Sequence, residues 1–404
     1  MRRLASALWL GIGLGSISAC QQPAPSPTPA FEQQVYIWQR QWTAQHAIAL
    51  QESQHSFSQL RVLAAQAHPQ EGWISANVDL QQLQKAQRPI IAVVRLDGQL
   101  SSLNTPQLLQ QIQQLVQHWQ QQPMQLVGLE IDYDSGTTKL PAYVDFLRGL
   151  RQQLPQSLSL SMTVLPAWLD APALAELRAI TDHSVLQVHA VNRIAQGLFD
   201  PKQAATWIER YDRQAARPFY VALPAYGAAV TASGAIESEV SLPEAGARQE
   251  YTVDPRAVAA LMQQIKRQRP AQLKGWVWFR LPLPNDQRAW AWSTLQKVMT
   301  EQPLQAQLQL RANPTTAGLY DLTLVNFGDL PAVLPASIDL NAQACSVADI
   351  RPTYQLNIQA NRVHLQLNPQ LPNKTLAAGK RQILGWIRCD QLHSSSIFND
   401  ASPL

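Results

Sequence analysis

Between residues 35 and 299 of this 404-residue chain, β-rich runs alternate with amphipathic helical runs, and this alternation limits the fold more than any other feature. Strand–crossover–strand units of this kind build parallel sheets with helices on the outside. The β-rich runs are residues 35–42, 59–67, 89–96, 125–134, 157–165, 184–192, 218–226 and 274–281. Eight such strands with intervening crossovers and a closing helix predict an α/β fold, the (β/α)8 TIM barrel.

The helical runs lie between these strands. They are residues 105–120, 140–154, 171–180, 202–215 and 255–269, with 290–299 after the last strand. Pro106, Pro141, Pro201 and Pro255 stand near helix starts, where the missing N–H of proline costs nothing. The connection 68–88 is poorly helical, so the sequence does not define the crossover there.

After about residue 304 the pattern changes to short alternating runs separated by turn signals such as Asn313-Pro314 and Asn368-Pro369. This pattern predicts a small antiparallel β-sandwich. We therefore expect a barrel over residues 33–303 and an accessory domain over 304–404. The accessory domain either braces the barrel or binds carbohydrate, and the sequence leaves both alternatives open.

The first residues indicate export. Arg2 and Arg3 precede an apolar run that ends at Ser18-Ala19-Cys20, which predicts a signal peptide over residues 1–19. The ending resembles the bacterial lipobox, which implies lipidation of Cys20 and a Pro-rich tether over residues 20–32. Gln21 stands where a retention Asp would hold a lipoprotein at the inner membrane. We therefore expect an anchor in the outer membrane, facing the periplasm or the cell surface.

Cysteine count and charge narrow the function classes. With Cys20 used for lipid, Cys345 and Cys389 remain as an even pair in an oxidising compartment, and we predict a disulfide between them. The net charge is +4, but the basic residues are scattered and form no run, so we expect no nucleic-acid partner. The sequence shows no P-loop, zinc pattern or dinucleotide glycine motif, and we expect no cofactor and no metal.

An acidic row marks the candidate site. Glu130, Asp132 and Asp134 alternate with apolar residues, so in a strand they share one face with roughly 7 Å between neighbours. Three carboxylates in a row repel one another and raise at least one pKa, unless cations or donors face them. An edge strand with a solvated acidic face is the alternative. The apolar residues on the other face favour a buried strand, and hence a functional site.

Other strand ends carry polar and aromatic residues to the same rim, where catalytic groups of such barrels lie. The candidate substrate-binding residues are Trp38, Arg95, Asp97, His189, Asn192, Tyr226, Trp278 and Arg280. Aromatic rings beside carboxylates suit sugars, since rings stack on C–H faces and carboxylates accept from hydroxyls. Each residue alone has an ordinary explanation: a core tryptophan, a satisfied histidine, or ion pairs that neutralise the acidic row.

Three segments resemble a known enzyme family. Gly128-Leu-Glu-Ile-Asp-Tyr-Asp134 is similar to the fourth-strand signature of family 18 glycoside hydrolases, the chitinase-like barrels, whose pattern is Asp-Gly-x-Asp-x-Asp-x-Glu. Residues 221–227 and 275–279 resemble two further strands of that family. More closely, residues 35–300 resemble a bacterial lipoprotein family known as domain of unknown function 3142, for which no activity is implied.

The resemblance implies roles for individual residues. Asp134 would be the general acid, Asp132 would orient the acetamido group of the substrate, and Glu130 would be the supporting carboxylate. Trp278 would be the platform beneath the reacting sugar. The chain departs from the pattern at Val127, which replaces the leading Asp, and at Asp134, which is one methylene shorter than the acid Glu. The resemblance therefore says more about fold than about activity.

Three hypotheses remain open at this stage. The first is a membrane-tethered glycoside hydrolase that acts on an envelope or exogenous polysaccharide by carboxylate acid catalysis. The second is a non-catalytic lipoprotein that binds glycan or supports the envelope. The third is a Ca²⁺ or Mg²⁺ site formed by the three carboxylates with Asn192. The sequence favours the first.

Overall fold

The structure of the chain is a computed structural model. It describes residues 31–103, 105–189, 197–231, 236–237, 248–316, 318–359, 362–371, 374–393 and 397–398. The expected signal peptide, Cys20, most of the tether and Asn192 lie outside the described residues. Among the helices it describes, none has the length and apolar character needed to cross a membrane.

The first part of the chain alternates strands and helices as the sequence predicts. In chain order its elements are β1 (Glu32–Ile37), α1 (Ala44–Glu52), β2 (Gln59–His68), β3 (Gly72–Ser75), α2 (Leu80–Ala86), β4 (Ile90–Leu96), α3 (Thr105–Gln120), β5 (Leu126–Tyr133), α4 (Leu140–Gln153), β6 (Ser159–Val164), α5 (Ala173–Ile180), β7 (His183–Gln187), α6 (Pro201–Gln214), β8 (Phe219–Pro224), β9 (Gly227–Thr231), β10 (Ile236–Glu237), β11 (Arg248–Thr252), α7 (Pro255–Gln268), β12 (Leu273–Phe279) and α8 (Trp292–Met299).

Eight of these strands form a closed parallel barrel in the order β1, β2, β4, β5, β6, β7, β8 and β12. Closure is direct, because β1 pairs in parallel with both β2 and β12. The TIM-barrel prediction is therefore confirmed. The main core lies between the barrel and its helices, where strand residues such as Ile131 and Val164 are buried against the helix faces.

Local sequence fixes the helix starts. The side chains of Asp200 and Asp254 accept hydrogen bonds from backbone N–H groups in the first turns of α6 and α7, and Pro201 and Pro255 are the first residues of these helices. Pro141 is the second residue of α4. The expected placement of these prolines is confirmed.

Two connections depart from the simple βα rhythm. Residues 68–88, which the sequence left undefined, form β3 antiparallel to the end of β2 and then the short helix α2, capped by the side chain of Asp79. After β8, the strands β9, β10 and β11 form a separate antiparallel sheet before α7 begins. Both insertions follow barrel strands at their carboxyl ends, the side on which the acidic row ends.

The C-terminal part consists of antiparallel sheets, as expected. Its strands are β13 (Leu308–Thr316), β14 (Leu319–Asn326), β15 (Ala332–Val333), β16 (Ser337–Gln343), β17 (Val347–Ile350), β18 (Tyr354–Gln359), β19 (Arg362–Leu367), β20 (Thr375–Leu376), β21 (Arg381–Arg388), β22 (Gln391–His393) and β23 (Ile397–Phe398). A five-stranded sheet, a four-stranded sheet and a two-stranded sheet enclose one apolar core. The predicted disulfide between Cys345 and Cys389 is present, with an S–S distance of 2.09 Å.

Polar contacts attach these sheets to the barrel. Lys297 in α8 forms an ion pair with the nearly buried Asp329 at 2.6 Å, and the hydroxyl of Thr294 donates to the backbone oxygen of Asp329 at 2.9 Å. Lys380 donates to the backbone oxygen of Asp286 at 3.2 Å. These contacts are of the kind that a bracing role requires.

Candidate functional site

The side chains of the acidic row point into the barrel. Alternate residues of β5, including Ile131 and Tyr133, belong to the core between the barrel and the helices, whereas Glu130 and Asp132 contact residues of other strands across the lumen. Ile131 and Tyr133 are fully buried, so β5 is a central strand and not a solvated edge. The acidic row therefore runs from the interior of the barrel to its mouth.

Glu130 forms the innermost level and is fully buried. Its carboxylate makes an ion pair with the buried guanidinium of Arg61 in β2. It also accepts from the hydroxyl of Tyr36 at 2.7 Å and from that of Ser161 at 3.2 Å. Burial and the negative charge of Glu130 raise the pKa of Tyr36 well above its ordinary value. Glu130 thus holds Tyr36 in place from below and is itself out of reach of a ligand.

Arg61 extends this buried network to the opposite side of the lumen. Its Nε donates to Gln34 at 2.9 Å, and one terminal nitrogen lies 3.1 Å from Nε2 of His183. Because a guanidinium only donates, Nε2 of His183 must accept. Burial and the neighbouring charge of Arg61 lower the pKa of His183 to about 3, so this imidazole is neutral. The network is a fixed polar floor for the site.

Asp132 forms the middle level. One carboxyl oxygen accepts from the hydroxyl of Thr163 at 2.7 Å and from the amide of Gln187 at 2.9 Å. Burial, followed by repulsion from Asp134, raises the pKa of Asp132 from 3.8 to about 8. The expectation that the row raises the pKa of at least one carboxyl is met here. Burial and the neighbouring carboxyl therefore favour the protonated form of Asp132 at neutral pH.

Asp134 forms the outer level at the mouth of the barrel. It accepts two hydrogen bonds from Arg95 of β4, at 3.1 and 3.3 Å. The side chains of Arg95 and Asp134 are 28% and 37% exposed, so solvent and ligands reach both. Gly98 lets the loop after β4 lie directly on this segment, since a Cβ there would fall 1.6 Å from the backbone oxygen of Asp134. Close backbone contact thus fixes the position of Asp134.

A cavity of about 220 Å³ opens above the two outer carboxyls. We call it the Asp132 cavity. It is lined by Tyr36, Trp38, Arg95, Asp132, Asp134, Thr163, Gln187, His189 and Phe279. This volume is below the range of about 300–1,000 Å³ for sites that enclose drug-sized ligands. The volume of the cavity therefore suits a single unit of a polymer better than a complete drug-sized ligand.

Aromatic rings form one wall of the Asp132 cavity. Trp38 packs edge-on against Phe279 with 5.2 Å between ring centroids, and His189 stacks on Phe279 at 5.2 Å and 11°. Tyr226 packs against the same phenyl ring at 5.5 Å. Burial lowers the pKa of His189 to about 4, so the imidazole is neutral. The cavity therefore combines an apolar wall with a wall of carboxyl, amide, hydroxyl and guanidinium groups.

The structure corrects the placement of Trp278. Its ring is fully buried outside the barrel, beside Trp290 at 6.3 Å, and its Nε1 donates to Gln33 at 2.7 Å. Successive strand residues point to opposite faces, so Phe279 and not Trp278 projects into the lumen. Trp278 cannot serve as the platform of this site, and Phe279 takes that position.

The placement of three other candidates is also clear. Arg280 is buried, forms an ion pair with Asp286 at 2.6 Å and lines a neighbouring cavity instead of the Asp132 cavity. The carboxylate of Asp97 accepts from the backbone N–H of Gln99 at 2.8 Å and shapes the turn after β4, outside the lining of the Asp132 cavity. Asn192 lies outside the described residues.

Two site residues were missed by the sequence reasoning. Phe279 was passed over because tryptophans stand on either side of Val277 and looked like the stronger candidates. Arg61 was passed over although it is the single charged side chain in the apolar run of β2 up to His68, which is a usable signal. In the described part of the chain, no group of three or more His, Cys, Asp or Glu could hold a metal ion.

Comparison with known proteins finds family models that match two parts of the chain. The expected resemblance is confirmed, because the model of the family described as domain of unknown function DUF3142 matches residues 86–284. A second family model, described as domain of unknown function DUF8456, matches residues 309–390. No curated protein sequence matches the chain.

Solved structures with similar folds include glycan-cleaving enzymes. The spore cortex-lytic enzyme SleL of Bacillus cereus has a TM-score of 0.48 and 12% identity, over 63% of this chain and 71% of that one. A chitinase of Chromobacterium violaceum has a TM-score of 0.47 and 13% identity, over 64% and 96%. A chitinase of Bacteroides thetaiotaomicron has a TM-score of 0.48 and 15% identity, over 63% and 90%.

Proposed function

We propose that this protein hydrolyses a cell-envelope or exogenous polysaccharide, with Asp132 and Asp134 as the acid-carrying pair. The observation that carries the proposal is that Asp132 and Asp134 line one cavity, with Asp132 buried and its pKa raised to about 8 by burial and by repulsion from Asp134. Hydrolysis of a glycosidic bond needs an acid that still holds its proton near neutral pH. A buried carboxyl next to a second carboxylate provides such a proton.

The two carboxyls act as one unit. Repulsion from Asp134 contributes to the raised pKa of Asp132, so we assign the transferred proton to the pair rather than to one residue. Asp134 is the more exposed member and is the one that reaches the glycosidic oxygen. The proton passes to this oxygen as the bond to the anomeric carbon breaks. Attack by water on the resulting oxocarbenium-like centre then returns a proton to the pair.

The remaining lining supports binding of the sugar. Trp38 and Phe279 offer ring faces and edges to the C–H groups of a pyranose, while Gln187 and Thr163 hold Asp132 in one orientation. The hydroxyl of Tyr36 is fixed by Glu130 and lies in the lining of the same cavity. These groups position a sugar ring over the carboxyl pair.

The test compares wild type with Asp134→Asn on peptidoglycan fragments, chitooligosaccharides and common exopolysaccharides. We expect release of reducing ends by the wild type, and a loss of about 10²- to 10⁴-fold in turnover in the variant, as for removal of a general acid. Ligand-induced stabilisation should persist, since asparagine keeps the shape of the side chain. Unchanged turnover in Asp134→Asn would remove this residue from the role of acid.

A second candidate function is glycan binding without hydrolysis. The ion pair between Asp134 and Arg95 favours it, because a guanidinium sits where the acid would meet the substrate. In that case the wild type would be stabilised by a glycan yet release no products over prolonged incubation. Arg95→Gln tests this alternative, since it removes the ion pair with Asp134 and leaves the carboxyl of Asp134 in place. Appearance of turnover in Arg95→Gln, absent from the wild type, would identify a carboxyl blocked by its arginine.

We also propose that Cys20 anchors the barrel to the outer membrane through lipid. The support is the sequence alone: the apolar run before Ser18-Ala19-Cys20 and the Gln that follows. Metabolic labelling with a fatty acid and fractionation of the membranes test it. We expect label and outer-membrane recovery for the wild type and neither for Cys20→Ser. Equal behaviour of the two proteins would contradict anchoring.

A further inference from the structure

A second cavity, of about 230 Å³, lies beside the Asp132 cavity. We call it the Gln39 cavity. Its lining includes Gln39, Thr43 and His46 from the end of the β1 unit and Arg280, Asp286 and Arg288 from the segment after β12. None of these residues belongs to the lining of the Asp132 cavity, and the catalytic proposal uses none of them.

The two cavities are neighbours along two chain segments. Trp38 and Phe279 line the Asp132 cavity, while the next residue in each segment, Gln39 or Arg280, lines the Gln39 cavity. The residues that line the two cavities are therefore adjacent in sequence in both segments. Trp38 and Phe279 are in ring contact at 5.2 Å and form the boundary between them.

Uncharged polar groups in the Gln39 cavity lack partners. The amide oxygen and the amide nitrogen of Gln39 are buried without a hydrogen-bond partner among the described residues, and so is Nε2 of His46. His46 is only 1% exposed. Unsatisfied buried polar groups are costly, at about 1–3 kcal/mol each, and usually mark the place of a water or a ligand. Three such atoms on two side chains of one cavity therefore point to an occupant.

The hydrogen on His46 can be assigned from its neighbours. The backbone N–H of Thr43 donates to Nδ1 of His46 at 3.0 Å. Nδ1 is therefore an acceptor, and the neutral imidazole carries its hydrogen on Nε2. Burial lowers the pKa of His46, which favours this neutral form. The unpartnered groups are thus two donors, from Gln39 and His46, and one acceptor, from Gln39.

The charged residues of the Gln39 cavity already have partners. Arg280 forms an ion pair with Asp286 at 2.6 Å, and Arg288 forms one with Glu250 at 3.2 Å. Asp286 further accepts from the backbone N–H groups of Arg288 and Ala289, both at 2.9 Å. An ionic ligand would have to break these pairs, whereas hydroxyl or amide groups would meet the unpartnered Gln39 and His46. The lining therefore selects an uncharged ligand that both donates and accepts.

We infer that the Gln39 cavity is a second sugar subsite, which holds the neutral unit adjoining the one in the Asp132 cavity. This inference rests on the proposed glycan-binding function. The polymer crosses the boundary formed by Trp38 and Phe279, and its second unit hydrogen-bonds Gln39 and His46. The protein consequently recognises at least two linked units and discriminates against charged sugars at the second position.

The first experiment measures affinity against chain length. Neutral cello- and chitooligosaccharides of one to four units are titrated into the Asp134→Asn protein, which cannot consume them. We expect affinity to rise about tenfold from one unit to two, the gain of one or two hydrogen bonds. Gln39→Ala should reduce this gain to about threefold or less, while Gln54→Ala, at an exposed glutamine just after α1, should keep all of it.

A second readout keeps the test independent of folding defects. The imidazole ¹H–¹⁵N resonance of His46 should shift on addition of a disaccharide and not of a monosaccharide, and an oligosaccharide with a uronic acid at the second unit should shift it less. Two results together would overturn the second subsite but not the proposed function. They are a rise in affinity from one unit to two that is unchanged in Gln39→Ala, and a His46 resonance that does not shift when glycan binds. Failure of the wild type to bind any of these sugars would instead refute the proposed function, and the subsite with it.

Discussion

Two arginine–carboxylate pairs lie on the same strand face of this barrel and differ in almost everything else. The inner pair, Arg61 with Glu130, is fully buried and tied to Tyr36, Ser161, Gln34 and His183. The outer pair, Arg95 with Asp134, is about a third exposed and has a cavity beside it. Arg61 thus stabilises the buried interior of the barrel, while Arg95 binds a carboxylate, Asp134, that a ligand can also reach.

Asp132 lies between these two pairs, and charged groups of both pairs act on its pKa. It is held by neutral donors, Thr163 and Gln187, and its raised pKa favours the protonated form at neutral pH. A row of three similar side chains therefore contains a buried carboxylate paired with Arg61, a carboxyl held by neutral donors and a partly exposed carboxylate paired with Arg95. The difference in burial and partner, not in residue type, separates their roles.

The largest effect should come from the inner pair. Arg61→Met leaves the carboxylate of Glu130 buried without its cation, which costs about 3–5 kcal/mol in free energy of unfolding. Arg95→Met is the matched change in the outer pair and should cost at most about 1 kcal/mol, because solvent screens that pair. Urea denaturation of the two variants measures both. Similar losses of unfolding free energy in the two variants would contradict a structural role for the inner pair and a minor stabilising role for the outer pair.

The next effect concerns Asp132 and pH. Its folded-state pKa of about 8 lies above the ordinary 3.8, so between these values the folded protein holds a proton that the unfolded chain releases. Stability of the wild type should therefore fall as pH rises from 4 to 8, with a slope that approaches about 1.4 kcal/mol per pH unit from this group. Asp132→Asn should lack this contribution to the slope, so its free energy of unfolding should rise relative to that of the wild type as pH approaches 8. Parallel stability curves would show that Asp132 is ionised in the fold.

The smallest effect tests the coupling between the outer carboxyls. Repulsion from Asp134 contributes to the raised pKa of Asp132, second to burial. Asp134→Asn should therefore lower that pKa by about 1 unit, the scale of interacting carboxyl pairs, and leave it above the ordinary value. Carboxyl ¹³C chemical shifts of Asp132 across pH report it directly. An unchanged titration would mean that the two groups do not share a proton.

The sequence predicted the barrel because its signals are local. Each of the eight predicted strands overlaps an observed one, since β-rich runs, helix caps and prolines act within a few residues of one another. The 68–88 connection could not be defined, because β3 exists only through its pairing with β2. β3 is only four residues long, and the alternation of so short a run does not distinguish a strand from a loop.

The site was predictable where polarity marks one face of a strand. The carboxylates of β5 show which of its residues point inward, and the acidic row was placed correctly in the lumen. In β12 every residue from Trp276 to Phe279 is apolar, and strands buried on both faces show no alternation. The choice between Trp278 and Phe279 therefore needed coordinates. The partners of Arg280 and Asp97 lie in turns close by in the chain, and the strand pattern does not indicate them.

The disulfide between Cys345 and Cys389 closes a long loop, since its two cysteines are 44 residues apart. A cross-link of that span restricts the unfolded chain enough to contribute roughly 4 kcal/mol in the chain-entropy account. Protein made in a reducing cytosol would lack this contribution in the C-terminal sheets, whereas the described barrel holds no cystine and would be spared. Recombinant production for any of these assays is therefore best directed to an oxidising compartment.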